Sequence, residues 1–246
     1  MKVSAVVAKG KDKKACEDSA LLGKSVMYDN EIQLELDVPT VICVADGVGG
    51  NLGGEFASRF LLEKLSECNT IEYNEESIQA LLCDMNAELL SYAACTEDKK
   101  QMATTLTGLI LNKNDLFYAQ SGNSRLYIMQ GNYLKQVTKD QTTYQGLKDC
   151  GNDEAAEACN KNEIRGCFGG GSSAYAESLV VKQLDNATNA SILLLTSDGV
   201  HEFVDIDTME ELLTSGMEDL EIVKKMASVA AENGSKDDMT AIIVRR

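Results

Sequence analysis

The stretch VICVADGVGGNLGGE, residues 41–55, joins an apolar run to a loop with five glycines, and one carboxylate, Asp46, stands between them. The apolar run predicts a buried strand, and the glycines predict a sharp turn out of it. The common phosphate-binding patterns do not fit, because no Lys-Ser or Lys-Thr follows the glycines and Leu52 stands where the dinucleotide pattern needs glycine. The loop is therefore either a plain strand-to-helix turn or a platform that directs Asp46 at a metal ion.

The residues around this stretch predict alternating groups of strands and helices. Strand-like segments fill residues 1–46, and two helices with apolar residues at helical spacing follow at 52–68 and 75–94. Two shorter helices are predicted between 207 and 232. Further strands are predicted at 103–111, 116–121, 125–130, 133–137, 178–184, 192–197 and 240–244. This order fits an α+β fold in which two sheets pack face to face with a helix pair outside each.

The remaining segment of the chain, residues 138–165, is polar and has no sustained hydrophobic period. Such a segment indicates a surface excursion or flap. Because neither an internal repeat nor a linker interrupts the sequence, we predict one domain over residues 1–246.

Composition excludes several classes of function. The net charge of −16 argues against nucleic acid as a partner and suits divalent cations. With one histidine and eight scattered cysteines, a zinc site, a disulfide framework and histidine-dependent catalysis are all disfavoured. The sequence lacks a secretory signal and an apolar run of roughly 18 residues, so we expect a cytoplasmic protein with no membrane partner.

Carboxylates recur at the ends of the predicted strands. The four positions are Asp46, Asp198 in ILLLTSDGV, the pair Asp237 and Asp238, and the pair Glu17 and Asp18. Each Asp-Gly taken singly is more typical of a turn. If the strand ends converge, however, so many carboxylates could not all stay ionised without cations between them. All-oxygen ligands select magnesium or manganese, and two such ions can activate water for attack on a phosphoryl group.

Six segments are similar, in this order, to motifs of the metal-dependent protein phosphatases of type 2C. The segments are KACEDSA (14–20), VADGVGGNLGGEFAS (44–58), MATTL (102–106), SGNSRLYIM (121–129), LLLTSDGV (193–200) and GSKDDMTAIIV (234–244). The resemblance covers nearly the whole chain. It implies a four-layer alpha-beta-beta-alpha sandwich and a bacterial-type enzyme that hydrolyses phosphoserine and phosphothreonine in proteins.

The resemblance also implies a catalytic centre with two ions, Mn²⁺ or Mg²⁺. Asp46 would bridge them, the Gly47 carbonyl would be a further ligand, and Asp198 and Asp237 would complete the second metal. A water between the two ions would be the nucleophile. In this reading the glycine loop is a ligand platform.

Other positions implied by the resemblance lie around that centre. Glu17 and Asp18 would hold metal-bound waters, and Asn123 stands where the family has an aspartate associated with a third metal, so a third ion would be weakly held. Lys13 replaces the family's phosphate-binding arginine, and an ammonium cannot form the two-pronged contact of a guanidinium. Arg165 occupies the place of another family arginine, where it would either face substrate or form a structural salt bridge.

Further departures from the family pattern are Val48, Ala103 and Gln141. They bear on efficiency more than on fold. The predicted function is an active phosphatase in signalling, a monomer that opposes a serine/threonine kinase by acting on phosphorylated proteins. The alternative is a catalytically weak member that binds phosphoproteins as a regulatory module, although the retained Asp46, Asp198 and Asp237 argue against it.

Overall fold

The computed structural model describes residues 1–48, 53–68, 71–97, 101–184 and 191–246. Its strands are β1 (Lys2–Ala8), β2 (Asp18–Leu22), β3 (Ser25–Met27), β4 (Asn30–Glu35), β5 (Thr40–Asp46), β6 (Ala103–Thr104), β7 (Leu106–Leu111), β8 (Leu116–Ser121), β9 (Arg125–Gln130), β10 (Tyr133–Gln136), β11 (Phe168–Gly169), β12 (Val180–Gln183), β13 (Ile192–Thr196) and β14 (Met239–Arg245).

These strands form two large antiparallel sheets. The first has the order β10-β9-β13-β14-β1-β4, and the second has the order β12-β8-β7-β5-β2-β3. A short ladder of β11 and β6 lies beside the second sheet's site-bearing end, where Gly47 also bridges to Thr104. Strands that adjoin in a sheet are often distant in sequence, as with β1 and β14.

The helices are α1 (Gly54–Glu67), α2 (Glu75–Cys95), α3 (Thr143–Asp149), α4 (Asp153–Ala158), α5 (Asp198–His201), α6 (Ile206–Thr214) and α7 (Asp219–Glu232), with a 3-10 helix at Ser173–Ser178. The first pair, α1 and α2, covers the second sheet, and α6 and α7 cover the first sheet. The predicted four-layer sandwich is confirmed.

The strand sequences are almost wholly apolar because successive side chains point to opposite faces of the sheet and both faces are buried. In β5, Ile42 and Val44 enter the core between the sheets, whereas Val41 and Cys43 face the α1–α2 layer. Both faces of such a strand are buried, so successive side chains are apolar on both sides of the sheet. Asp46 ends the strand because it lies at the rim, where the core stops.

The boundaries of α1 and α2 agree closely with the ranges predicted from the helical spacing of their apolar residues. The helix predicted at 75–94 is α2, and its N-terminus is capped by the Asn74 side chain, which accepts a hydrogen bond from the backbone of Ser77 at 2.8 Å. The helix predicted at 52–68 is α1. Its predicted start at Leu52, and Gly49 and Gly50 of the glycine loop, lie outside the described residues.

The segment predicted as an irregular excursion, 138–165, contains α3 and α4. Thr142 and Asn152 cap these helices by accepting hydrogen bonds from Gln145 and Ala155. The prediction missed both helices because neither is long enough to show a hydrophobic period. The capping residues were the available signal.

Among the helices in the described part of the chain, none combines the length and apolar character that a membrane span requires.

Candidate metal centre

The first link across the sandwich is made by Asp18, at the start of β2. Within the second sheet Asp18 pairs in register with Asp46, at the end of β5. Its Oδ2 accepts hydrogen bonds from the hydroxyls of Ser197 (2.8 Å) and Thr240 (2.6 Å), both in the first sheet's rim. One carboxylate therefore joins the ends of four strands, which brings the predicted cluster together.

Asp18 is buried, with 1% of its surface exposed. Burial raises the pKa of Asp18 to about 7, the hydroxyl of Thr240 opposes this rise, and the charge of Asp238 adds to it. The second oxygen, Oδ1, has no hydrogen-bond partner among the described residues although it is buried. A buried, unpartnered carboxylate oxygen fits a role in binding a water or an ion.

Asp46 is fixed through its backbone. Its carbonyl accepts from the Thr105 amide at 2.8 Å and from the Thr104 hydroxyl at 3.0 Å, and its amide donates to the Thr105 hydroxyl. Burial raises the pKa of the Asp46 carboxyl well above its usual range, and the charges of Asp18 and Asp198 raise it further. These contacts fix the backbone of Asp46, while its carboxyl lies within hydrogen-bonding reach of the Asp198 carboxyl.

Gly47 follows in a position that only glycine can take. A Cβ there would lie 2.5 Å from the Gly54 carbonyl oxygen and 2.7 Å from the Glu17 carbonyl oxygen. The Gly47 amide donates to that Glu17 carbonyl at 3.1 Å. The chain can therefore pass close to both neighbours while the Gly47 carbonyl stays beside Asp46.

Asp198 reaches the centre from the first sheet, where it begins the single-turn helix α5 directly after β13. The side-chain amide of Asn123 donates to Asp198 Oδ2 at 2.9 Å. Burial raises the pKa of Asp198, as does the charge of Asp237, whereas the Asn123 hydrogen bond lowers it. Asn123 is 3% exposed, and its own Oδ1 has no partner among the described residues. Asn123 and Asp198 are therefore in direct contact.

Asp237 and Asp238 meet the segment that carries Lys13 and Glu17. The Lys13 ammonium donates to Asp237, to Asp238 Oδ2 at 3.1 Å and to Glu17 Oε2 at 3.1 Å. Burial lowers the pKa of Lys13, but its hydrogen bonds to Asp237 and Asp238 outweigh burial and raise that pKa above its ordinary value. Lys13 therefore lies among the carboxylates and stays charged.

The donor set fits hard divalent cations, since every candidate ligand is an oxygen and several are buried. In the described part of the chain, however, no three Asp, Glu, His or Cys side chains already stand as a metal cage. The side chain of Asp237 is 48% exposed and is turned to Lys13. A cation between Asp46, Asp198 and Asp237 would require Asp237 to reorient.

Arg165 is the predicted site residue that stands apart. Its amide donates to the Gln141 carbonyl at 2.8 Å, and the Gln141 amide donates to Gly122, next to Asn123. Its side chain lines an open cleft beside α3, where a Cβ on Gly146 would lie 2.7 Å from its guanidinium. Among the described residues, Lys13 and not Arg165 forms the ion pairs with the carboxylate cluster.

Sequence reasoning missed the residues that orient the carboxylates. Ser197 and Thr240 hold Asp18, and Thr104 and Thr105 hold Asp46. The sequence pointed to these residues only indirectly, because they lie inside the family motifs. Ser197 and Thr240 lie in the motifs that carry Asp198 and Asp238, and Thr104 and Thr105 lie in MATTL. His201 is buried and contacts the Thr196 hydroxyl at 2.9 Å, and burial keeps the pKa of His201 well below its usual value.

Comparison with known proteins identifies the class. The chain matches the family model described as "Protein phosphatase 2C" over residues 27–242, and it belongs to this family. The family resemblance is thereby confirmed, and the chain is an enzyme of the protein phosphatase class. This chemistry depends on Mn²⁺ or Mg²⁺.

Individual relatives agree with that assignment. The serine/threonine phosphatase stp of Listeria innocua is 29% identical over 220 residues, which are 85% of this chain and 86% of that protein. The structure of the Mycobacterium tuberculosis serine/threonine phosphatase PstP/Ppp is similar with a TM-score of 0.77 and 25% identity, covering 98% of this chain and 96% of that one. The catalytic domain of PstP in complex with two manganese ions has a TM-score of 0.73 at 24% identity, covering 99% and 98%.

Proposed function

We propose that this protein hydrolyses phosphoserine and phosphothreonine in proteins, with two divalent cations held at the rim of the sandwich. The observation that carries this proposal is the convergence of Asp18 and Asp46 from one sheet with Asp198 and Asp237 from the other. The names of the relatives, serine/threonine phosphatases, support the substrate class.

In this proposal Asp46 and the Gly47 carbonyl would hold the ions together with Asp198 and Asp237. When bound, the ions supply an activated water and neutralise the charge of the phosphoryl group. Asp46 is suited to this role because neighbouring carboxylates disfavour its ionised form until a cation is present.

Asp18 and Glu17 have a supporting role. The hydroxyls of Ser197 and Thr240 fix one oxygen of Asp18. Its other oxygen, which lacks a partner among the described residues, would accept a hydrogen bond from water held at the centre. Glu17 would do the same from the segment beside Lys13.

Lys13 and Arg165 are the proposed contacts to substrate. The Lys13 ammonium already lies beside the metal-binding carboxylates and could reach a phosphate held there. Arg165 lies one step further out, on the cleft beside α3, where it would meet a more distant part of a phosphoprotein. We propose that the partners are cytoplasmic phosphoproteins and a cognate kinase, and that the enzyme acts as a monomer in signalling.

The test is hydrolysis of p-nitrophenyl phosphate and of a phosphothreonine peptide by EDTA-treated protein with added manganese, magnesium or neither. We expect turnover only with added metal. Release of phosphate at the same rate in EDTA would exclude a metal-dependent mechanism.

A catalytically weak phosphoprotein-binding module is the second candidate. It is favoured by the Lys13 ammonium on Asp237 and by the Asn123 amide on Asp198, since both donors lie where cations would bind. Binding of phosphothreonine peptide without turnover in any metal would establish this alternative.

A further inference from the structure

The six carboxylates at the strand ends form a carboxylate rim: Glu17, Asp18, Asp46, Asp198, Asp237 and Asp238. In the described part of the chain, the cation that contacts this rim is the Lys13 ammonium. It forms ion pairs with Glu17, Asp237 and Asp238. The side chain of Lys13 is only 23% exposed, so the ammonium is partly withdrawn from solvent. An ammonium held by several carboxylates occupies the same kind of electrostatic position that a metal ion would occupy.

Asp238 anchors this arrangement. It is 1% exposed, and its two oxygens accept hydrogen bonds from the amides of Gly10 and Glu17, both at 2.7 Å. The third contact of Asp238 is with Lys13 itself. The buried Asp238 carboxylate thus binds the backbone on both sides of Lys13 and fixes the backbone position from which the Lys13 side chain extends.

Close backbone packing restricts the same segment further. A Cβ on Gly10 would lie 2.3 Å from the Lys236 carbonyl oxygen and 2.7 Å from the Asp237 carbonyl oxygen. The strand-end segment before β14 and the segment that carries Lys13 are therefore in direct backbone contact. Lys13 is in this way held close to Asp237 by the fold, unlike an ordinary surface lysine.

We infer that Lys13 is a built-in counter-ion that competes with the divalent cation for Asp237. This inference rests on the proposed function, because it takes Asp237 to be a metal ligand. The ammonium and a divalent ion repel each other, so close contact of both with the same carboxylate is unfavourable. Metal binding releases Lys13 from Asp237, while Asp238 keeps the lysine at the rim, where it is available to a substrate phosphate.

The first experiment measures the dissociation constant of Mn²⁺ and of Mg²⁺ by titration calorimetry on EDTA-treated protein. Lys13→Met is compared with wild type and with Lys14→Met, which removes the same charge from an exposed neighbour. We expect Lys13→Met to bind metal at least about tenfold more tightly and Lys14→Met to change by less than about threefold.

Equal affinities in the wild type and Lys13→Met, or weaker binding by the variant, would overturn the competition. Absence of heat of binding in all three proteins would instead overturn the metal centre of the proposed function. The two failures are therefore distinct.

The second experiment needs no variant, so it stands even if Lys13→Met folds poorly. Lysine acetylation is followed by mass spectrometry in EDTA and in saturating Mg²⁺, with Lys13 and Lys14 resolved by peptide fragmentation. We expect Lys13 to be protected in EDTA and to be labelled several-fold faster in Mg²⁺, with Lys14 unchanged. Unchanged or greater protection of Lys13 in Mg²⁺ would contradict its release.

Discussion

Arg125 and Asp140 form an ion pair near the metal centre. The carboxylate rim instead gathers six carboxylates, of which only three pair with the single ammonium of Lys13. In the pair, Arg125 Nε donates to Asp140 Oδ1 at 2.9 Å and Nη2 donates to Oδ2 at 2.6 Å. Each charge there has a partner of opposite sign. At the rim the negative charges outnumber the cation, and the pKa values of Asp18, Asp46 and Asp198 are raised.

The difference separates a structural role from a functional one. A two-pronged guanidinium–carboxylate pair satisfies itself and needs nothing more from solution. A cluster with excess negative charge is costly until cations bind, and a group of carboxylates placed in this way is a candidate for function. Substitutions in the two regions should consequently affect different properties of the protein.

The largest expected effect comes from Asp46→Asn. If Asp46 holds the metal ions as proposed, removing its charge should lower kcat with Mn²⁺ by about 1,000-fold, since several kcal/mol of metal-derived stabilisation would be lost. The same change relieves repulsion, so the metal-free variant should melt no lower than wild type. Steady-state kinetics and thermal unfolding in EDTA test the two parts. A variant with near-normal kcat would remove Asp46 from the mechanism.

Asp140→Asn should show the opposite pattern. The free energy of unfolding should fall by about 2 kcal/mol, less than for a fully buried pair because Asp140 is 16% exposed and Arg125 is 26% exposed. Chemical denaturation in EDTA measures this loss. Mn²⁺ affinity, determined by calorimetry, should stay within about threefold of wild type. A large loss of metal affinity with intact stability would mean that this pair belongs to the metal centre.

The third prediction concerns the pH dependence of the metal-free protein. The folded pKa of Asp18 is about 7, above its unfolded value, so the folded state holds the proton more strongly and loses stability as pH rises through this range. Between pH 6.5 and 8.5, Asp18 alone should reduce the free energy of unfolding by about 1 kcal/mol. The folded pKa of His201 is depressed below its ordinary value of 6.5, so the stability it contributes is lost at lower pH and opposes the Asp18 effect only at the acidic edge of this window.

Denaturation in EDTA at several pH values provides the measurement, with Asp18→Asn as the control that should flatten the curve. Saturating Mn²⁺ should also flatten it, because the bound ions compensate the ionised carboxylates. A wild-type curve that rises with pH over this window would show that the rim carries no such excess charge.

The smallest expected effect comes from Asn123→Asp. In wild type the Asn123 amide donates to Asp198, whereas a carboxylate would repel Asp198 and attract a cation. The Mn²⁺ concentration for half-maximal activity should therefore fall several-fold, and stability in EDTA should fall as well. Asn86→Asp is the matched control. Asn86 is as buried as Asn123, but it lies in α2 and accepts a hydrogen bond from the Gly169 amide, so it does not contact Asp198. Identical metal titrations for wild type and Asn123→Asp would leave Asn123 as a turn residue.

Particular elements show how far local sequence carries. The predicted strands at 116–121 and 125–130 coincide with β8 and β9, because alternation and the intervening Gly-Asn-Ser turn are local signals. The helices α3 and α4 were missed because their stability derives from caps and neighbours and not from a hydrophobic period. The apolar runs before Asp46 and Asp198 were predicted as strands because nearly every residue in them is apolar. The same composition allows both faces of β5 and β13 to be buried.

For the candidate site, the sequence placed carboxylates at strand ends and the family motifs named them. The sequence did not determine which cation or hydrogen-bond donor contacts which carboxylate. Asp18 meets Ser197 and Thr240 across separations of 179 and 222 residues, and Lys13 meets Asp237 across 224. Such contacts are fixed by sheet pairing and packing, which local patterns do not encode. The sequence by itself determined the strands and helices that have a clear hydrophobic period, the family and the kind of ligand atoms. Only the tertiary structure decided that Lys13 lies on the carboxylates and that Arg165 does not, because these positions depend on how distant strand ends meet.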